Sequence, residues 1–316
     1  MAVALSSAGR QSPLHLLVED YLAHCAARGL SPRTLDKCYG YPLRIVFLGW
    51  CTDAGITSLE ALDGRAIDRF TSSLHQRHPR GHVISKHTVH SYVRPVRQML
   101  TWASRVGEIV QAKPQLPRLS KPLRDVLTRE ELDAMESGLP TERDKLIIRT
   151  FGDCGLRLQE LTQLTPTDIV RSGRQAHLRI LGKGHRMREV PIPPLILRRL
   201  ERLISARPLD RSEDRIFVTL RRGPTGTYDG LTGNGVYQVV KDAVARARIT
   251  KHVHPHLLRH SWITEMLRRG MNPVQLSLIA GTSLPVIMEH YTHLTRDDAY
   301  DAMISALVAP RRATER

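Results

Sequence analysis

The sequence predicts a mainly α-helical protein of two domains, with a small antiparallel β component in the second domain. Three observations favour this fold class. Apolar residues recur at helical spacing over most of the chain, two short apolar segments flank a glycine-rich turn, and a proline-rich stretch without a hydrophobic period separates the two halves. The length of 316 residues also favours two domains over one.

The first domain is predicted to span residues 12–106, after a flexible N-terminal segment at residues 1–11. Serine followed by proline marks a helix start here, and glycine marks a helix end. Pro42 is expected to kink or divide the second helix, because proline lacks the amide N–H that a helix interior uses. The four expected helices cover Leu14–Cys25, Ser31–Cys51, Asp63–Leu74 and Ser85–Arg105.

Residues 107–124 contain three prolines and several cations, and they are predicted to form an extended linker. The second domain is predicted at residues 125–296, followed by a C-terminal helix and tail at residues 297–316 that could dock on a neighbouring protomer. One helix is expected to begin at Thr128, and the next to begin at Thr141 and end at Gly152 and Gly155. The later helices are expected at Gly233–Arg248, Leu257–Arg269, Pro273–Ala280, Leu284–Leu294 and Ala299–Leu307. The expected strands are His177–Ile180, Met187–Pro191 and Arg215–Thr219.

The chain carries a formal net charge of +16 at pH 7. Such an excess of cations destabilises the compact state by self-repulsion, so it indicates a polyanionic partner, with nucleic acid favoured over a membrane surface. Aromatic residues make up only 5% of the chain, which argues against base stacking as the main mode of binding. No apolar run approaches the length that spans a bilayer, and four scattered cysteines are typical of reduced packing residues, so a cytoplasmic location is expected.

The stretch His254–His293 concentrates side chains that suit phosphate chemistry. His256 and Arg259 stand three apart at the start of a predicted helix, so they share one side of its first turn, and Tyr291 follows on a later helix. An arginine fork holds an anion, a histidine moves a proton near neutral pH, and a tyrosine hydroxyl can attack phosphorus.

The motifs in this stretch are His256-Leu257-Leu258-Arg259-His260, then Gly281, then Tyr291-Thr292-His293-Leu294. Their order and spacing resemble the C-terminal signature of the tyrosine recombinases, the phage integrase and Xer-like family. The resemblance implies a helical core-binding domain ahead of a mixed α/β catalytic domain. It implies an enzyme that cuts double-stranded DNA with the tyrosine, holds the broken end as a 3′-phosphotyrosyl ester and rejoins it to a new strand. A homotetramer on the recombination synapse, without metal, cofactor or ATP, is also implied.

A second part of the family pattern surrounds Arg157, which follows a glycine break and precedes a helix. Glu160, one turn further on, can brace it or a neighbouring group. Two arginines are needed because attack on a phosphodiester concentrates negative charge on its non-bridging oxygens, where fixed cations must stabilise it. Arg157 and Arg259 are therefore predicted to hold the scissile phosphate.

Two further residues are predicted to transfer protons. Lys183, at the tip of the predicted hairpin, matches the lysine of the family pattern and is predicted to protonate the departing 5′ oxygen. His256 is predicted to accept the tyrosine proton or to hydrogen-bond the phosphate, since imidazole titrates near neutral pH.

One position departs from the family pattern. Where the family usually has His or Trp in contact with the scissile phosphate, this chain has Thr282 after Gly281. A threonine hydroxyl still donates a hydrogen bond but lacks charge assistance, so weaker phosphate activation is expected. His290 and His293 adjoin Tyr291 and could compensate.

Two other functions stay open at this point. A type IB topoisomerase relaxes DNA by the same chemistry without exchanging partners, and a DNA-binding protein whose catalysis has lapsed at Thr282 would share the fold. A metal site is disfavoured although four histidines cluster between residues 252 and 260, because no HExxH motif or carboxylate and cysteine cluster completes a ligand shell.

Overall fold

The structure is a computed structural model that describes residues 12–76, 84–119, 125–182 and 187–290, together with residues 300, 303 and 304. The chain divides into two compact units, Met1–Lys121 and Pro122–Arg316. The predicted segment at residues 1–11 and most of the expected helix Ala299–Leu307 lie outside the described residues. Across the described ranges, no helix has both the length and the apolar character needed to cross a bilayer.

Every regular element described in the first unit is helical. Serine side chains accept the amide N–H groups at the starts of the first, second and last of its helices, as the capping signals predict. Phe47 and Phe70 meet edge to face in the core of this unit, with ring centroids 5.2 Å apart. The elements are α1 (Pro13–Ala27), α2 (Pro32–Thr34), a π-helical stretch (Leu35–Phe47), α3 (Leu48–Asp53), α4 (Gly64–Gln76) and α5 (Lys86–Arg105).

Pro42 does not divide the second helix, contrary to expectation. The chain stays helical from α2 through the π-helical stretch to α3, and Pro42 is buried within it. Tyr39, Leu43 and Phe47 recur at a spacing of four, which places them on one face of a helix, and this face packs in the core of the unit. Burial of this face offsets the amide N–H that Pro42 cannot donate.

The segment after α5 lies along the first unit. Residues 107–119 have no helical or strand hydrogen bonding, as expected of an extended chain. Val110, Ala112 and Leu116 nevertheless pack against the core of the unit, and the Gln111 side-chain amide donates to the Glu60 carbonyl at 2.8 Å. The described part of this segment is thus held by one unit.

The second unit surrounds a three-stranded antiparallel sheet of order β1-β2-β3. The predicted hairpin is confirmed, with Leu178 opposite Val190 in its register. The expected strand Arg215–Thr219 is wrong: its amides bond to two different segments, at Leu164 and Asp229, so only an isolated bridge forms. The elements are α6 (Arg129–Ser137), α7 (Glu142–Cys154), α8 (Leu158–Gln163), a 3₁₀ turn (Pro166–Asp168), β1 (Ile169–Ser172), β2 (Gln175–Leu181), β3 (Met187–Pro191), α9 (Pro194–Ser205), α10 (Gly233–Arg246), α11 (Pro255–Arg268), α12 (Pro273–Ala280) and α13 (Leu284–Met288).

Two smaller expectations also need correction. Gly152 does not end α7 but lies inside it, where a Cβ would come within 2.3 Å of Leu132 Cδ2, so a larger residue would displace the Leu132 side chain. The four cysteines are free, but Cys38 is exposed and is not a packing residue. Burial raises the pKa of the Cys51 and Cys154 thiols to about 12, which keeps both protonated.

Candidate active site

A cleft of about 740 Å³ in the second unit brings several predicted site residues together. Its walls come from the start of α8, the first half of α11 and the residues in and around α13. Besides His256, four histidines line the cleft: His252, His254, His260 and His290. The predicted site residues that line the cleft are Arg157, His256, Arg259 and Thr282.

Arg157 is placed by a sharp turn between two helices. Gly155 ends α7 with a φ of 60°, and a Cβ there would lie 2.1 Å from Cε3 of Trp262, so only glycine fits. Arg157 is the N-cap of α8, and its Nη1 donates to Glu160 Oε1 at 2.8 Å while its Nη2 donates to the Gly281 carbonyl. Glu160 and the Gly281 carbonyl therefore hold the guanidinium, and the side chain is still 31% exposed and lines the cleft.

Arg259 lies on α11 and is almost fully buried. Its Nη1 donates to the Gly155 carbonyl and its Nη2 to the Ala280 carbonyl, which leaves other guanidinium N–H groups for a ligand. Burial, assisted by the charge of Arg157, lowers the pKa of Arg259 to about 10. The side chain therefore remains a cation at neutral pH.

His256 is exposed on the first turn of α11, one turn before Arg259, and both line the cleft. The turn is capped by His254, whose Nδ1 accepts the Leu257 N–H at 3.2 Å. The rings of His254 and His256 stand nearly perpendicular with centroids 6.4 Å apart. An imidazole thus fills the capping position where serine or threonine is usual.

Thr282 follows the last turn of α12. Gly281 ends that helix with a φ of 62°, and the Thr282 amide donates to the Ser277 carbonyl at 3.1 Å. The half-buried Thr282 side chain then lines the cleft. The structure therefore places a neutral hydroxyl in the same cleft as the two arginines.

Glu160 does not line the cleft but holds Arg157 from behind, and it is itself held by Arg188, which the sequence motifs did not single out. Arg188 Nη1 and Nη2 donate to Glu160 Oε1 and Oε2 at 2.8 and 2.7 Å, and both side chains are under 10% exposed. Burial alone would raise the pKa of Glu160, but hydrogen bonds from Arg188 and Arg157 outweigh it and hold this pKa at about 2.

Strand alternation is the signal that could have found Arg188. It lies on β3 opposite the buried Ile180 and two residues before the buried Val190, so it shares their face of the sheet. An arginine on an inward face requires a carboxylate partner.

Two predicted catalytic residues, Lys183 and Tyr291, lie outside the described residues. His290, which directly precedes Tyr291 in the sequence, is buried and packs its ring 4.1 Å from that of His260. Its Nδ1 is hydrogen-bonded to Thr264 Oγ1 at 3.2 Å. The described chain is therefore anchored to α11 immediately before the predicted nucleophile.

Among the described residues, no group of three or more His, Cys, Asp and Glu side chains is arranged to hold a metal ion. The histidines that line the cleft instead share it with two arginines.

Comparisons with known proteins agree on one family. A sequence model described as "Phage integrase family" matches residues 125–297. A "Tyrosine recombinase" of Thermosipho africanus is 29% identical over 297 residues, covering 91% of this chain and 97% of that protein. "Tyrosine recombinase XerD" of Corynebacterium glutamicum is 26% identical over 297 residues, covering 89% of this chain and 94% of that protein.

A solved structure shares the fold. The XerH site-specific recombinase bound to difH substrate, in a pre-cleavage complex, matches with a TM-score of 0.69 at 18% identity. The match covers 96% of this chain and 98% of that chain. The predicted fold class, mainly helical with a small antiparallel sheet, is confirmed.

Proposed function

The chain belongs to the phage integrase family, and from this membership we propose that it is a site-specific recombinase that cleaves and rejoins double-stranded DNA through a 3′-phosphotyrosyl intermediate. One observation supports the proposal above the others. Arg157 and Arg259, which are far apart in sequence, line a single cleft together with His256. Two permanent cations beside a proton-transfer group suit a phosphodiester whose non-bridging oxygens gain charge during attack.

The proposed reaction balances without a metal or ATP. The Tyr291 oxygen forms a bond to phosphorus as the bond from phosphorus to the deoxyribose 5′ oxygen breaks. His256 takes the phenol proton, and Lys183 gives a proton to the departing oxygen. The phosphotyrosyl ester conserves the energy of the broken bond, so a 5′ hydroxyl of a partner strand can reverse the steps and release the tyrosine.

A trapping experiment tests this function. The full chain is incubated in EDTA with nicked duplexes of random sequence, in which the cleaved fragment diffuses away and the adduct accumulates. A covalent protein–DNA band on a denaturing gel is expected, and sequencing the trapped DNA would identify the target site. DNA binding without any adduct would instead favour the lapsed binding protein.

The comparisons favour a recombinase over a type IB topoisomerase. The relatives reported above are named as recombinases, and this chain matches them over nearly their whole length. Relaxation of supercoiled plasmid by the monomer, without joining of two DNAs, would reverse this preference.

The domain assignment follows from the proposed function. Residues 12–106 form the core-binding domain, residues 107–124 the linker and residues 125–296 the catalytic domain. Residues 297–316 dock on a neighbouring protomer in a homotetramer assembled on DNA in the cytoplasm, associated with the nucleoid. The exposed apolar side chains of α12 and α13 that lie outside the cleft are a surface that such docking would cover, and they include Val274, Leu278 and Met288.

Binding to the DNA backbone should depend strongly on salt. A cleft of about 410 Å³ in the first unit is lined by four arginines, namely Arg28, Arg94, Arg97 and Arg105. No acidic residue is among the described side chains that line this cleft. We expect the logarithm of the binding constant to fall linearly with the logarithm of salt concentration, with a slope of about −0.9 per phosphate contacted. Fluorescence anisotropy across a salt series measures the slope, and a flat response would contradict backbone binding.

Replacing Thr282 with histidine should speed cleavage. An imidazolium at this position donates a charge-assisted hydrogen bond, which is stronger than a hydroxyl bond by about 1 kcal/mol, or roughly fivefold in rate. Single-turnover adduct formation at saturating DNA measures the change. Ser283→His is the matched control, because Ser283 is adjacent but does not line the cleft. An unchanged or lower rate for Thr282→His would show that the threonine does not limit phosphate activation.

A further inference from the structure

The C-terminal end of α12 is held by three arginines from three other elements. The last carbonyl groups of a helix have no partner within it and carry partial negative charge, so cations stabilise them. Here each of three successive carbonyls accepts from one guanidinium: Ile279 from Arg188, Ala280 from Arg259 and Gly281 from Arg157. The helix end that precedes Thr282 is therefore fixed to β3, to α11 and to the start of α8, and the last two carry arginines that line the cleft.

Of these three arginines, Arg188 is the one that does not line the cleft, and it connects three elements. From β3, its Nε donates to the Ile279 carbonyl at 2.8 Å, and its two terminal nitrogens hold both oxygens of Glu160 on α8. Its stem also lies against Gly281, where an added Cβ would come within 2.8 Å of Arg188 Cδ. Because β3 begins four residues after Lys183 in the sequence, the same side chain fixes the strand that follows this predicted catalytic residue.

The charges give this arrangement a consequence. Arg157, Arg188 and Arg259 contribute three positive charges and Glu160 one negative charge, so the group keeps a net charge of +2. Without Arg188, Glu160 would have Arg157 as its remaining hydrogen-bonding partner, and the net charge would fall to +1. A carboxylate that draws Arg157 back towards itself withdraws that guanidinium from the phosphate.

Resting on the proposed function, we propose that Arg188 is a positioning residue that locks β3, the start of α8 and the end of α12 into one frame, and that it keeps Arg157 directed at the scissile phosphate. It does not touch DNA. It acts through Glu160 and the Ile279 carbonyl. Its loss should therefore slow the chemical step at saturating DNA and leave the affinity for DNA nearly intact.

The test compares Arg188→Met with Arg199→Met in the full chain, using a nicked duplex that carries the target site identified by trapping. Arg199 is a matched control, because it also joins two carboxylates, Glu136 and Glu142, at 2.5 and 2.6 Å, and it does not line the cleft. We expect Arg188→Met to form the adduct about 10- to 100-fold more slowly. This is the loss seen in metalloenzymes when a residue that orients a metal ligand is removed, and Arg188 orients Arg157 in the same indirect way. The dissociation constant for DNA should stay within about twofold, because backbone contacts set affinity. Arg199→Met should keep the wild-type rate.

Melting temperatures separate positioning from unfolding, and Arg188→Lys provides a variant that keeps the buried charge if the methionine variant does not fold. Lysine cannot hold both carboxylate oxygens in a fork, so it should still be slower than Arg199→Lys. A folded Arg188→Met or Arg188→Lys that forms adduct at the wild-type rate would overturn the inference. Equal losses in the Arg188 and Arg199 variants would do so as well. Failure of the wild-type chain to form any adduct would refute the proposed function instead.

Discussion

Replacing Tyr291 with phenylalanine should abolish the covalent adduct and leave DNA binding nearly unchanged. The substitution removes only the hydroxyl oxygen, which the proposed reaction uses as its nucleophile, and keeps the ring. Adduct formation should fall by roughly 10⁴-fold or more, the scale on which losing a nucleophile disables an enzyme. Denaturing gels with the nicked substrate measure the adduct, and anisotropy under the same conditions measures binding.

Tyr300→Phe is the matched control for this experiment. Tyr300 lies nine residues further along the chain, its side chain is 61% exposed, and the proposed reaction does not use it. The control should form the adduct at the wild-type rate. An adduct that persists in Tyr291→Phe would mean that another side chain attacks the phosphate.

Most of the helices could be predicted because their signals are local, whereas Arg157 and Thr282 were assigned to the site through the family resemblance. A serine or threonine cap, or a glycine that must adopt positive φ, fixes a helix end within a few residues, as at Thr141 and Gly155. The motif around His256 and Arg259 likewise needs only one helical turn to bring its side chains together.

What could not be predicted depends on distant partners. Alternation along β3 could have placed Arg188 on the inward face of the sheet, but its partners, Glu160 on α8 and the carbonyl of Ile279, meet it only when these elements pack together. The π winding through Pro42 is similar, since it is favoured by a buried face that forms only when the unit packs. Helix α9, which the sequence analysis did not predict, buries Ile196 and Leu200 against the core of the second unit.

Replacing Arg259 with lysine should reduce cleavage by about 10²- to 10³-fold, the cost of one lost oxyanion donor, roughly 3 kcal/mol. The guanidinium of Arg259 holds the carbonyls of Gly155 and Ala280 with two nitrogens and still has other N–H groups for the phosphate. An ammonium group has three donors on a single nitrogen and cannot span both carbonyls and a phosphate in one plane. Single-turnover adduct formation at saturating DNA measures the loss.

Arg269→Lys is the matched control, because Arg269 directly follows α11 but is exposed and pairs with Glu265 outside the cleft. It should cleave at the wild-type rate. If Arg259→Lys also cleaved at that rate, the guanidinium fork would not be the feature that the reaction needs.

The pH dependence of Arg259→Lys distinguishes lost geometry from lost charge. Burial and the neighbouring Arg157 lower the pKa of the cation at this position, Arg188 acts in the same direction, and Glu160 opposes them. A lysine begins from a lower pKa than an arginine, so the same surroundings bring its deprotonation closer to neutral pH. The protonated form is the one that stabilises the phosphate, so the lysine variant should lose rate as pH rises through that pKa. The wild-type chain should lose no rate from Arg259 until pH approaches about 10. A lysine variant with a uniformly low rate at every pH would assign its whole defect to geometry, whereas a rate that recovers at low pH assigns part of it to charge.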